Sequence, residues 1–108
     1  KEFKLKIYIA GKITGELPYH YRHKFGYAAT KLRAEGYKVI NPVELNGELS
    51  QFGFDYEDMM RICFAAIDTC DAVYMLSDWS ESPGARREHE YAINSGKEII
   101  YQNVKERA

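Results

Sequence analysis

What is scarce in this sequence narrows the reading first. Cysteine occurs only twice in 108 residues, as Cys63 and Cys70. The two stand seven apart in what reads as one helical pattern, about 10 Å along its axis, too far for a disulfide. A reduced, cytoplasmic protein is therefore expected. No apolar run approaches the ~18 residues of a membrane span. The start, Lys1-Glu2-Phe3-Lys4, carries no apolar core of a secretory signal. Proline occurs three times, and no Pro-, Gly- or Ser-rich stretch or repeat interrupts the chain, so residues 1–108 read as one domain. An excess of one charge is also missing: Lys+Arg 15 against Asp+Glu 16 leaves a formal charge of −1. That balance offers no global field for a nucleic-acid polymer or an anionic membrane, and any anion site must be local. His20 and His23 lack partners at zinc spacing, so no metal site is expected. Hydrophobic residues make up 45% and charged residues 29%, which excludes disorder. Nine tyrosines, five phenylalanines and Trp79 are more aromatic surface than a small platform hides. Self-association as a homodimer or higher homo-oligomer, burying some of Phe52, Phe54, Tyr56 and Tyr91, is expected.

Periodicity supplies the architecture. Leu5, Ile7 and Ile9 alternate with Lys4, Lys6 and Tyr8, the two-residue period of a strand, and Gly11 stops the run. From Pro18 to Glu35 the period becomes helical, with Tyr21, Phe25, Ala28, Ala29 and Leu32 on one face before Gly36. Tyr37–Ile40 reads as a second strand closed by Asn41-Pro42, and the stretch from Val43 to Phe54 as a loop. Asp55 caps a second helix whose apolar face is Met59, Met60, Cys63, Phe64 and Ile67. Asp71–Leu76 is a third strand, Ser82-Pro83 opens a third helix ending at Ser95-Gly96, and Lys97–Tyr101 is a fourth strand. The order β-α-β-α-β-α-β predicts an α/β fold of three layers, flavodoxin-like or Rossmann-like. Its parallel sheet has four, possibly five, strands in the order 2-1-3-4, with helices on both faces. Ligands in such sheets bind beyond the carboxyl ends of the strands, where the order reverses.

Two loops leave the neighbouring strands one and three at that point. The first, Gly11-Lys12-Ile13-Thr14-Gly15, combines glycines that let backbone N–H groups approach an anion with a cation and a hydroxyl. It matches neither a Walker loop nor the dinucleotide fingerprint, and it reads equally as a strand-terminating turn. The second, Asp78-Trp79-Ser80-Glu81-Ser82-Pro83-Gly84-Ala85, turns a helix start toward the crevice. Ser82 can cap that helix or donate to a ligand. On the helix itself Ala85, Ala92 and Ile93 mark the buried stripe, with His89 in its middle and Glu88 at its edge. Glu88 is then either a buried functional carboxylate or a charge that snorkels to solvent, and His89 a hydrogen-bonded, half-buried ring. Spacing alone leaves Tyr8 either under a helix or in the crevice.

These residues carry a resemblance. Tyr8 through Gly15, Asn41-Pro42, Cys70 through Leu76, and Trp79 with Ser82-Pro83-Gly84-Ala85-Arg86-Arg87-Glu88 resemble the nucleoside 2-deoxyribosyltransferase superfamily. The likeness is to its small bacterial and phage-borne branch and extends to the 2'-deoxynucleoside 5'-monophosphate N-glycosidases. It implies cleavage of an N-glycosidic bond by double displacement, with Glu88 as nucleophile forming a sugar ester and Tyr8 orienting it. Gly11, Lys12, Ile13, Thr14, Gly15, Asp78, Ser82 and Gly84 are the implied substrate-binding residues. Ser82 falls where the monophosphate hydrolases have serine, and with Lys12 and Thr14 it favours a nucleoside 5'-monophosphate over a free nucleoside. The chemistry requires no cofactor. One position departs: Cys63 stands where the active families carry an aspartate in the second helix. That leaves two alternatives, a nucleotide-binding or sensing module without turnover and a nucleoside deoxyribosyltransferase.

Overall fold

The computed structural model describes residues 5–103; the start read above for a leader, Lys1–Lys4, lies outside them. Four parallel strands form one sheet in the order β2-β1-β3-β4. They are β1 (Lys6–Ala10), β2 (Lys38–Ile40), β3 (Ala72–Met75) and β4 (Glu98–Tyr101). Ile7 lies opposite both Val39 and Ala72, and Tyr74 lies opposite Ile100. The fifth strand held open by the sequence is absent among the described residues.

Alternation along β1 and β3 splits the core into two layers. Ile7, Ile9, Ala72, Tyr74 and Leu76 pack with Phe25, Ala28, Ala29 and Leu32 of helix α1 (Pro18–Ala34). The other face presents Tyr8, Ala10, Val73 and Met75 to α3 (Tyr56–Asp68) and α4 (Pro83–Asn94). Because strand side chains alternate sides, the register that buries Ile7 and Ile9 under α1 also sends Tyr8 toward α3 and α4.

The helix starts follow cap chemistry. Asp55 accepts the Asp58 N–H and Asp58 accepts the Asp55 N–H, both at 2.9 Å, a reciprocal box that satisfies two helix-end donors of α3. Ser82 Oγ accepts the Ala85 N–H at 3.1 Å, and Pro83 takes the first helical position of α4. Gly36, with φ of 98°, closes α1 in the left-handed region that only glycine enters freely.

Three expectations need correction. The stretch after β2 is not a bare loop: Asn41 Oδ1 accepts the Val43 N–H at 2.9 Å and starts a short helix, α2 (Pro42–Asn46), followed by a 3₁₀ turn at Leu49–Phe52. One turn of helix has no repeat for periodicity to register. Second, Ile93 is 52% exposed, and the buried residues of α4 are Ala85, Glu88 and Ala92. At 100° per residue Ile93 stands about 140° from Glu88, so Glu88 belongs inside the stripe and Ile93 outside it. Third, α3 ends at Asp68, so Cys70 lies beyond the helix that holds Cys63; both thiols are free and buried. No helix among the described residues is long and apolar enough to cross a membrane.

Candidate functional site

A cavity of about 330 Å³ opens at the carboxyl end of the sheet. Gly11, Ile13 and Thr14 form one wall, α2 with Pro42, Val43 and Asn46 a second, and Met60, Cys63, Ser82, Gly84, Ala85 and Glu88 a third, with Tyr21, Phe25, Ser50 and Tyr56 among the other lining residues. Its volume falls in the range of small-molecule sites. The β1 turn can lie this close because Gly11 has no side chain: a Cβ there would come within 2.6 Å of Leu76 Cδ1. Gly84 plays the same part opposite, where a Cβ would meet the Tyr56 hydroxyl at 3.2 Å.

At the inner end stands Glu88, 7% exposed. Tyr8, completely buried, reaches it from β1 and donates its hydroxyl to Glu88 Oε2 at 2.8 Å across 80 residues of sequence. Burial pushes the Glu88 carboxyl up to about 7; the hydrogen bonds from Tyr8 and Cys63, and the more distant Arg87 charge, oppose that rise. Cys63 is raised to about 12, chiefly by burial and then by the neighbouring Glu88 charge, so it remains a thiol at neutral pH. Burial, reinforced by the same charge, also lifts the Tyr8 phenol well above its ordinary value. The one group of this cluster that titrates near neutrality is Glu88.

The remaining residues expected at the site divide in two. Gly11, Ile13, Thr14, Ser82 and Gly84 line the cavity with Glu88. Lys12, Gly15 and Asp78 do not. Lys12 directs its ammonium to Glu81 at 3.7 Å, outside the cavity. Gly15, with φ of 88°, makes the turn that follows. Asp78 is a clamp between the two loops: its carboxylate accepts the Lys12 N–H at 3.2 Å and pairs with Lys24, which also holds Glu16. Sequence spacing could not separate a carboxylate that ties two loops together from one that faces a ligand. His89 is half-buried, its ring 4.2 Å from that of Trp79 and its Nε2 2.7 Å from the Tyr101 hydroxyl. His20 and His23 are exposed. Among the described residues no three His, Cys, Asp or Glu side chains gather as a metal-holding set.

The family model described as a domain of unknown function, DUF4406, matches residues 5–101. The chain belongs to that family. No curated protein matches it. The matched DUF4406 region contains every cavity-lining residue named above, and several of the lining residues, Tyr21 and Asn46 among them, were not assigned to the site from sequence. Tyr21 projects from α1 into the cavity. Asn46 comes from the stretch read as a loop, where Asn46-Gly47 had only the look of a turn; its amide Nδ2 donates to Cys63 Sγ at 3.2 Å.

Proposed function

We propose that this DUF4406 domain cleaves the N-glycosidic bond of a (deoxy)nucleoside 5'-monophosphate, with Glu88 as nucleophile. The observation that supports this most is the buried Tyr8–Glu88 pair at the inner end of a ligand-sized cavity. The resemblance to deoxyribosyltransferases and monophosphate N-glycosidases suggests the same two residues for these roles. In the first step a Glu88 oxygen bonds to the anomeric carbon while the carbon–nitrogen bond breaks and its electron pair leaves with the base, which takes up a proton. Water then attacks the anomeric carbon of the ester and gives up a proton to the solvent, replacing the one taken up by the base, as the bond to the Glu88 oxygen breaks and the carboxylate is released. A carboxylate stripped of water, as Glu88 is, gains most from the cationic carbon that develops beside it, since charges attract strongly where solvent is excluded. Tyr8 keeps one oxygen oriented.

The phosphate belongs at the mouth rather than the floor, because a dianion beside Glu88 would push its proton affinity higher still. Exposed Thr14 and the Ser82 hydroxyl, at the start of the twelve-residue α4, are the donors there. Lys12 flanks them, its ammonium in a long pair with the exposed Glu81. A homodimer would cover Phe52, Phe54 and Tyr56, which are 70%, 45% and 46% exposed. Tyr91 is engaged within the chain instead, stacked on Phe64 at 4.4 Å and donating to Asp68 at 2.7 Å. Two buried free thiols suit a reducing cytoplasm.

The test is chromatography for free base after incubation with ribo- and deoxyribonucleoside 5'-monophosphates. The wild type should release base; Glu88→Gln should release none while still binding nucleotide. Undiminished release by Glu88→Gln would overturn the assignment. A second reading, binding without turnover, is favoured by one feature: a neutral thiol, Cys63, where the resemblance expects a carboxylate. It predicts calorimetric binding with no base released.

A further inference from the structure

Asn46 is the polar group that the proposed chemistry leaves unused. Its side-chain oxygen is buried and has no hydrogen-bond partner, the one such side-chain atom among the described residues. A buried carbonyl left unpaired is costly and calls for an explanation. The Asn46 amide Nδ2 donates to Cys63 Sγ at 3.2 Å. The NH₂ end is thereby committed to Cys63, and the oxygen is left over. Asn46 also lines the cavity.

The chemistry of that cavity limits what can satisfy the oxygen. Among the described residues its lining includes no lysine, arginine or histidine, and its single charged side chain is Glu88. Hydroxyls from Thr14, Tyr21, Ser50, Tyr56 and Ser82 complete its polar equipment. A carbonyl oxygen accepts but cannot donate. The group opposite it must therefore be a donor, and on the wall shared with Cys63 and Glu88 the donors that a nucleotide brings beside its anomeric carbon are the sugar hydroxyls.

We propose that Asn46 is a specificity-determining residue whose side-chain oxygen accepts a hydrogen bond from a hydroxyl of the bound sugar. This deepens the reading above and rests on it for the identity of the ligand as a nucleotide. The pairing explains why an amide stands on α2 beside Cys63: one end orders the thiol, and the other reads the ligand. Sites built to accept from a hydroxyl reject analogues lacking it, because the buried acceptor is then stranded.

The experiment is a cycle between protein and ligand. Binding of a nucleoside 5'-monophosphate and of its 2'-deoxy, 3'-deoxy and 2',3'-dideoxy analogues is measured by calorimetry for the wild type, Asn46→Ala and Asn46→Asp. The wild type should lose roughly tenfold in affinity when the recognised hydroxyl is absent. Asn46→Ala should lose a similar factor for the hydroxylated ligand and show no preference between it and the dideoxy analogue. Asn46→Asp, which keeps an acceptor oxygen, should retain the preference even if overall affinity falls, and this separates recognition from a folding defect. Equal weakening of all four ligands by Asn46→Ala, a hydroxyl preference that survives it, or absence of binding by the wild type would overturn the proposal. Base release, followed in the same samples, reports separately on Glu88. An Asn46-dependent hydroxyl preference without base release would retire the catalytic reading and keep this one; base release without that preference would do the reverse.

Discussion

Replacing Glu88 by glutamine should change how stability depends on pH, and the size of the change follows from the structure. In the unfolded chain a glutamate titrates near 4.5, whereas in the folded protein burial moves Glu88 to about 7. Below pH 4.5 both states carry the proton, and the group has no effect on the balance. Between 4.5 and 7 the folded state binds more protons than the unfolded state, so stability falls as pH rises. Above 7 the carboxyl is ionised in both states and the loss is complete. A displacement of this size corresponds to about 3 kcal/mol. Cys63 and Tyr8 remain neutral throughout the interval, so Glu88 is the one member of the cluster that titrates within it. Glu88→Gln cannot ionise, yet its amide oxygen can still accept from Tyr8. The variant should match the wild type within about 1 kcal/mol at pH 4 and exceed it by about 3 kcal/mol at pH 8. Urea melts across pH 4–8.5 measure this directly. With a slope of about 1–3 kcal/mol per molar urea, the midpoint difference at pH 8 is roughly 1–3 M. Parallel stability curves for the two proteins, or a wild type that gains on the variant as pH rises, would refute the argument that Glu88 is buried and desolvated.

The same carboxyl should shape the rate of base release: kcat/KM should climb with pH and level off above about 7, as the nucleophile becomes ionised, and a profile flat from pH 5 to 9 would contradict this. Tyr8→Phe removes a hydrogen bond that favours the ionised carboxylate, so that rising limb should move to higher pH, with carboxyl titration followed by NMR as the direct check. Gly11→Ala drives a methyl group into Leu76, a fully buried neighbour, and should cost about 1–3 kcal/mol by denaturant melts; a neutral result would mean the β1 turn has more room than the structure gives it. Ser82→Ala deletes the α4 cap and should cost about 1 kcal/mol, measured at a pH where Glu88 is fully protonated.

Local chemistry alone was enough to read β1, α1, α3 and α4. Alternation at Leu5, Ile7 and Ile9, the helical repeat through Phe25 and Leu32, and the caps at Asp55 and Ser82 depend on near neighbours in the chain. The short α2 escaped because five residues present no period, and Asn41-Pro42 looks alike before a turn and before a helix. The two loops at the switch point were legible from topology. Which of their residues face the cavity was not, since Lys12 and Asp78 find partners in Glu81 and Lys24 that lie far from them in sequence or on another element.

Sequence by itself determined the order of the four strands and three long helices, the parallel sheet and the crevice to search, because right-handed crossovers and two-residue alternation admit few arrangements. Only the tertiary structure decided that Glu88 is inside and Ile93 outside, that Tyr8 donates to that carboxylate, and that Asn46 offers an unpaired oxygen. Each of these depends on the angle at which α4 or α2 is pressed against the sheet. That angle is set by packing among residues up to 80 positions apart, and a helical repeat read along one segment does not contain it.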